Sequence, residues 1–294
     1  MMEHAAVDPH GRLIDDSSQA VVPWWSFTKT LIAACALRLV EQGRLDLDRP
    51  LPERPYTLRQ LLRHRAGVGN YGGLADYHAA VARRDPPWPQ AELLARIPVD
   101  RLIFPPDQGW AYSNVGYLIV GRLIEDSCGE GLGPALGRLV LRPLGLEVAR
   151  LAETTADMDA TAFAGGHGYD PGWVYHGTVI GPVAEAALAL HRLLGGGLLT
   201  AASLAAMLER HPLGGPIPDR PWRSTGYGLG LMIGTMARRG LARSVEVAGH
   251  SAGGPGSVGA VYRAMRSGCT AAVFAAGTGE GAVEDRALSL LTCD

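Results

Sequence analysis

One lysine stands among 26 arginines in this 294-residue chain, and it follows a serine by three positions in Trp24-Trp25-Ser26-Phe27-Thr28-Lys29. If this stretch opens a helix, residues i and i+3 share a face with Cβ atoms about 5–6 Å apart, and the Lys29 amine reaches the Ser26 hydroxyl. Arginine is unsuited to that position because its guanidinium stays protonated, whereas a buried lysine can shed its charge and act as a base. A serine at a helix N-terminus also sits where backbone N–H groups favour a developing oxyanion. The chemistry suggested is a serine nucleophile activated by an amine. A Ser-x-x-Lys tetrad arises by chance in a chain of this length, with an exposed lysine as the plain reading, so other stretches must decide.

Two other stretches bear on the choice. Phe104 to Tyr117 is a Pro/Gly-rich loop running into an apolar helix, with Tyr112-Ser113-Asn114 at the junction. Such a junction can offer a phenol and an amide to a cleft, or simply a capping residue and a packed tyrosine. Gly249-His250-Ser251-Ala252-Gly253 reads literally as Gly-x-Ser-x-Gly, the nucleophile elbow of α/β-hydrolases. That elbow requires a later histidine and an immediate helix. No histidine follows His250, and Gly254-Pro255-Gly256 is a poor helix start. A glycine-rich strand end lining a cleft, with an N–H available to an oxyanion, fits better.

Smaller candidates are weighed in the same way. His64 reads as a loop-bracing histidine. Trp24, Trp25, Tyr71, Trp173 and Tyr175 serve either as an apolar acyl pocket or as core aromatics. His167 and Asp170 lack a third ligand at sensible spacing, so no metal is expected.

The elements that must position these residues follow from periodicity. Short β fragments around Val7 and Ala20-Val21-Val22 precede a helix from Ser26 to a cap at Gly43. Further helices are expected from Thr57, over 74–83, Ala91 to Ile97, 115–127, 133–141, 183–194 and 201–210, with irregular chain at 164–182 and 211–226. Strands are expected at 227–236, 243–249, 257–263 and 269–276, closed by a helix at 280–291. A β start, a helical middle and a β-rich end indicate one α+β domain: an antiparallel sheet drawn from 1–22 and 220–294, with a mostly helical subdomain at 23–219.

Composition narrows the function. Hydrophobic residues make up 47% and charged residues 19%, enough for a sizeable core, and the net charge of −2 with scattered arginines offers no stripe for nucleic acid. Cys35, Cys128, Cys269 and Cys293 are far apart, so four free thiols in a reducing compartment are expected. Met1 to Ser18 is polar and acidic, and no apolar run approaches the roughly 20 residues that span a bilayer. A cytoplasmic protein is the expectation, with no membrane partner.

Taken together, Ser26-x-x-Lys29, Tyr112-x-Asn114 and His250-Ser251-Ala252 resemble the ordered motifs Ser-x-x-Lys, Tyr-x-Asn and Lys-Thr-Gly or His-x-Gly of the serine β-lactamase/penicillin-binding-protein superfamily. The class C-like branch, with its esterases, D-amino-peptidases and acyltransferases, is nearest. Supporting phrases are Leu61-Leu62-Arg63-His64-Arg65-Ala66-Gly67, Pro143-Leu144-Gly145-Leu146, Gly195 to Thr200 and Tyr227-Gly228-Leu229-Gly230, so the likeness runs from about residue 20 onward. It implies a two-subdomain α/β transpeptidase-like fold and an acyl-enzyme on Ser26, with Lys29 and Tyr112 as the proton-handling pair. It also implies Ser26 and Gly253 N–H groups as oxyanion donors, and Asn114 orienting Lys29 and a substrate carbonyl. His250 takes the place of the usual lysine, which weakens carboxylate recognition. No cofactor is implied; the partner is a small ester or amide. Ala252 departs from the usual glycine, and the short segment before Ser26 suggests truncation. Hydrolysis is the first reading; acyl transfer and a silent ligand-binding homologue are the alternatives.

Overall fold

A computed structural model describes residues 2–16, 19–97, 101–238 and 244–291. In chain order its strands are β1 (Met2–Val7), β2 (Leu13–Asp16), β3 (Val21–Pro23), β4 (Arg150–Leu151), β5 (Val179–Pro182), β6 (His211–Gly214), β7 (Trp222–Tyr227), β8 (Met232–Met236), β9 (Val245–Gly254), β10 (Ser257–Ala264) and β11 (Thr270–Ala276). Its α-helices are α1 (Thr28–Glu41), α2 (Leu58–Leu62), α3 (Ala75–Arg83), α4 (Gln90–Arg96), α5 (Asn114–Cys128), α6 (Leu132–Leu136), α7 (Thr155–Asp159), α8 (Val183–Leu194), α9 (Ala201–Leu208) and α10 (Glu280–Leu290).

Eight strands form one antiparallel sheet in the order β2-β1-β11-β10-β9-β8-β7-β6, so the chain's start is stitched to its end through β1 against β11. Strand alternation divides that sheet between two cores. Ala272, Phe274 and Val261 face the helical body with α1 and α8, while Ala271, Val273 and Tyr262 face α10 with Val283, Ala287 and Leu288. The mixed helix and antiparallel-sheet class expected from the sequence is what the chain adopts.

Helix α1 is buried almost all round, from Thr28 to Leu37 and again at Leu39, as a helix at the centre of a body must be. It ends where Gly43 takes the left-handed conformation, φ +68°. Thr57 opens α2 in a capping box with Gln60, and Ser113 caps α5 by accepting the Gly116 N–H at 2.9 Å. The segment expected as helix over 133–141 is α6 followed by a wider π-type turn, Gly137–Leu141.

Three expectations need correction. The segment 211–226 is not loop but carries β6 and most of β7; its prolines disguise an edge strand, where Pro212 is tolerated because one strand side lacks a ladder partner. The irregular stretch 164–182 ends in β5, which pairs with β3 and β4 in a second, three-stranded sheet. The expected strand 227–236 is split by a turn in which Gly230 has φ +72° and its carbonyl accepts the Thr30 hydroxyl at 2.7 Å. A Cβ on Gly230 would lie 2.6 Å from Ala33 Cβ, so only glycine lets α1 approach this turn.

The strand expected at 243–249 extends to Gly254, while position 243 lies outside the described residues. Cys35 and Cys128 are free, but Cys269 is disulfide-bonded, so the expectation of four reduced thiols fails, and with it the support it lent to a cytoplasmic setting. Cys293 lies outside the described residues. Among the described residues no helix is long and apolar enough to cross a membrane.

Candidate active site

Ser26 lies in a tight turn, Trp25–Phe27, between β3 and α1, and its position is fixed by its neighbours. The Trp24 N–H donates to the Val179 carbonyl at 2.7 Å, its indole N–H donates to the Gly181 carbonyl at 3.2 Å, and Thr28 Oγ1 accepts the Val179 N–H at 2.9 Å. Trp25 has φ +37°, uncommon for a bulky residue, and is held there by its indole N–H on Ser257 Oγ at 2.9 Å. Its ring covers Gly254 so closely that a Cβ there would come within 2.4 Å. The turn bearing Ser26 is thereby clamped to the β9–β10 hairpin.

Lys29, one turn into the body, is fully buried. Its Nζ is 3.3 Å from Ser26 Oγ and 2.7 Å from His176 Nε2, and lies 5.0 Å from the ring centroid of Tyr112 and 5.7 Å from that of Tyr117. No carboxylate is among its partners in the described residues. Burial therefore drives its pKa well below the usual lysine value. The same burial, with the positive field of Lys29, pushes His176 well below the ordinary imidazole value.

Tyr112 precedes the α5 cap. Its phenol is raised above the usual value by burial, with Ser26 acting in the opposite direction and the Glu280 charge adding to the rise. The hydroxyl oxygen is buried and makes no hydrogen bond of standard geometry among the described residues. His250 is buried on β9: its Nε2 lies 2.8 Å from the Tyr227 hydroxyl and its Nδ1 lies against the Ser251 carbonyl. A carbonyl only accepts, so Nδ1 carries the proton and Nε2 accepts from Tyr227. Burial, followed by the charges of Lys29 and Arg220, brings the His250 pKa down to about 3. The imidazole is neutral at pH 7, unlike the lysine common at this motif position.

The strand beneath these residues has a free side. On β9, Gly249 is the last residue paired to β8, through Met232, while pairing to β10 continues to Gly254. Antiparallel alternation counted from the Gly254–Ser257 pair turns the N–H groups of Ser251 and Gly253 away from β10, toward the open edge. Beside that edge is a cleft of about 550 Å³ lined by Ser26, Tyr112, His250, Ser251 and Gly253. Its apolar wall comes from Trp110, Leu213, Ile217, Tyr227 and Met232.

Other sequence candidates land elsewhere. Ala252 is fully buried in the helical-side core, so its methyl does not narrow the cleft. Asn114 gives its backbone N–H to Asn70 Oδ1 at 3.1 Å, and among the described residues its side chain makes no hydrogen bond to Lys29; His176 has that place instead. Ser251 is tied into an ion-pair network: its hydroxyl lies against Tyr262 and Glu284 and accepts from Arg220 Nη2 at 2.8 Å. Among the described residues its hydroxyl has no histidine partner, and the elbow reading fails on geometry.

Trp24, Trp25, Tyr71, Trp173 and Tyr175 are buried core aromatics rather than cleft wall. His64 braces the loop, its Nδ1 accepting the Ser113 N–H at 3.1 Å and its ring 4.4 Å from that of Tyr112. His167 lies 3.0 Å from the Thr161 carbonyl, and Asp170 caps a turn through the Gly172 N–H. The residues that sequence reasoning missed are His176, Arg220, Tyr227 and Glu280. Tyr227 opens the phrase Tyr227-Gly228-Leu229-Gly230, which pointed to no role at the site; the other three belong to no short motif, and each reaches the site from a distant element.

Comparison with known proteins fits this architecture. The chain matches the Beta-lactamase family over residues 10–293, and it belongs to that family. Among curated relatives, an esterase, EstB, from Burkholderia gladioli is 34% identical over 143 residues, covering 41% of this chain and 36% of that protein. Penicillin-binding protein 4* of Bacillus subtilis (strain 168) is 29% identical over 137 residues, 43% of this chain and 29% of that protein. The matches thus span about a third of these relatives' lengths. A D-stereospecific amidohydrolase from Streptomyces sp. superposes with a TM-score of 0.80 at 24% identity, covering 99% of this chain and 93% of that one. A D-amino acid amidase from Ochrobactrum anthropi SV3 gives 0.80 at 21%, covering 99% and 92%.

Proposed function

We propose that this protein is a serine hydrolase of small esters or amides that forms an acyl-enzyme on Ser26. One observation carries the reading: the chain's single lysine is fully buried, with its amine 3.3 Å from a cleft-lining serine hydroxyl. Its depressed pKa makes a neutral amine available as base, while the raised pKa of Tyr112 keeps the phenol protonated. Lys29 takes the Ser26 proton as Oγ attacks the carbonyl carbon. The tetrahedral oxyanion is received by the Ser26 and Gly253 N–H groups. Its collapse breaks the bond to the leaving group, which takes the Tyr112 proton, and the Lys29 ammonium restores the phenol. Water repeats the sequence on the acyl-enzyme. His176 holds the Lys29 amine in place, and His250 orders the Tyr227 hydroxyl. The esterase and amidase names of the relatives support this substrate class.

Intact mass and peptide mapping after fluorophosphonate treatment test the proposal. A single adduct on Ser26, absent in Ser26→Ala, is expected. An adduct on Ser251 would overturn it, and no adduct at all would favour a silent binding homologue. With added amine or alcohol, a conjugate in place of the free acid would mark acyl transfer.

A further inference from the structure

The cleft described above carries an unusual charge arrangement. Arg220 Nε donates to Glu284 Oε2 at 2.8 Å, Nη2 contacts Glu284 Oε1, and Nη1 pairs with Glu280 Oε2. Glu284 is fully buried, held further by the Trp222 indole N–H at 3.0 Å, so it takes up the guanidinium from behind. Glu280 lines the cleft with its side chain about 30% exposed. Its Oε1 would stand 3.5 Å from a Cβ built on Gly253, the proposed oxyanion donor, and among the described residues it accepts no hydrogen bond. Among the described residues that line the cleft Arg220 is the one cation: His250 is neutral, and burial disfavours the charge on Lys29 behind it. Burial raises the Glu280 carboxyl above its usual pKa while the Arg220 guanidinium opposes that shift. Once ionised, Glu280 together with the buried Glu284 outnumbers the one arginine, and Glu280 Oε1 sits beside the carbonyl-binding position.

We infer that Glu280, held in place by Arg220, selects acyl donors bearing a protonated amine next to the scissile carbonyl, and disfavours those bearing a carboxylate. This rests on the serine hydrolase reading for where the carbonyl sits. A carbonyl oxygen on the Gly253 N–H brings the α-substituent near Glu280, and an ammonium there makes a charge-assisted bond in a partly desolvated place. A carboxylate would meet like charge instead.

The test compares phenylalanine p-nitroanilide, in both enantiomers, with 3-phenylpropanoyl p-nitroanilide, which lacks only the amine. The kcat/KM ratio is expected to favour the amine by about tenfold or more, the scale of one hydrogen bond to a charged group. The ratio should fall as pH rises through the substrate amine's pKa, about 8, and collapse toward one in Glu280→Gln, which keeps an oxygen for Arg220. A wild-type ratio at or below one overturns the inference, as does a ratio unmoved by Glu280→Gln.

Failure of the underlying reading shows separately. Turnover persisting in Ser26→Ala removes the serine mechanism. Calorimetric binding of phenylalaninamide against 3-phenylpropanamide to that protein still decides amine selectivity, and equal affinities refute it.

Discussion

Two serines sit within reach of one cleft, and their surroundings differ in kind. Ser26 is partly exposed, and among the described residues its hydroxyl has one hydrogen bond of standard geometry, to a buried amine 3.3 Å away with depressed pKa. Ser251 is nearly buried and is bound by a carboxylate, a guanidinium and a phenol at once. The first hydroxyl has somewhere to send its proton and room to move toward a carbonyl. The second is fully committed, and its proton already belongs to a buried ion-pair network. In the proposed mechanism, reactivity is decided by what the partner can accept and by how little else the hydroxyl does.

The largest effect that could break this contrast is on turnover. Lys29→Arg keeps a cation but removes the base, since guanidinium does not deprotonate; kcat/KM should fall by about 10²–10⁴, as for loss of a general base. Hydrolysis at the wild-type rate in this variant, followed by p-nitrophenyl ester assay, would refute the role of Lys29. The acid limb of the wild-type kcat/KM profile should lie below the usual lysine range near 10.5, because the neutral amine is the active form and burial favours it.

Next is stability on the Ser251 side. Glu284→Ala strips the acceptor from Arg220 Nε, the Trp222 indole and Ser251, leaving buried donors unpaired, and should cost about 3–5 kcal/mol in denaturant unfolding. The Ser26 side predicts the opposite sign. The folded pKa of Lys29 lies below its unfolded value, so the unfolded chain binds more protons between the two, and stability rises with pH through that window. Lys29→Met should therefore raise the melting temperature at neutral pH while abolishing labelling of Ser26, with a gain that shrinks as pH approaches 10.5. A melting temperature that drops in this variant would show that the amine's bonds to Ser26 and His176 outweigh its desolvation.

The contrast was partly legible in the sequence, for physical reasons. Ser26 and Lys29 are three apart where the tight turn Trp25–Phe27 runs into α1, so local geometry fixes their approach, and the glycines after Ser251 exclude the helix an elbow needs. His176 reaches Lys29 from 147 positions away, and no local pattern encodes that meeting. Arg220 lies between Pro218 and Pro221, which read as loop and conceal both β7 and the ion pairs in front of it. Asn114 carries a motif position, yet its backbone serves Asn70 while His176 holds the lysine. Motifs recorded the neighbours along the chain; the charges and hydrogen bonds that distinguish the serines arise across the sheet.

The smallest predicted effect sharpens the contrast most. Ser251→Ala removes one hydroxyl from a network in which Arg220 still pairs with Glu280 and Glu284, and Glu284 still accepts from Trp222. Only the bonds through Ser251 Oγ are lost, so thermal or urea unfolding should show a cost of about 1–3 kcal/mol. Fluorophosphonate labelling at Ser26 should persist, because the Gly253 N–H and the Lys29 amine belong to parts of the site that Ser251 does not hold. If labelling vanished while the fold survived, the two serines would be coupled through the β9 edge, and Ser251 would have to be counted among the groups that position the carbonyl.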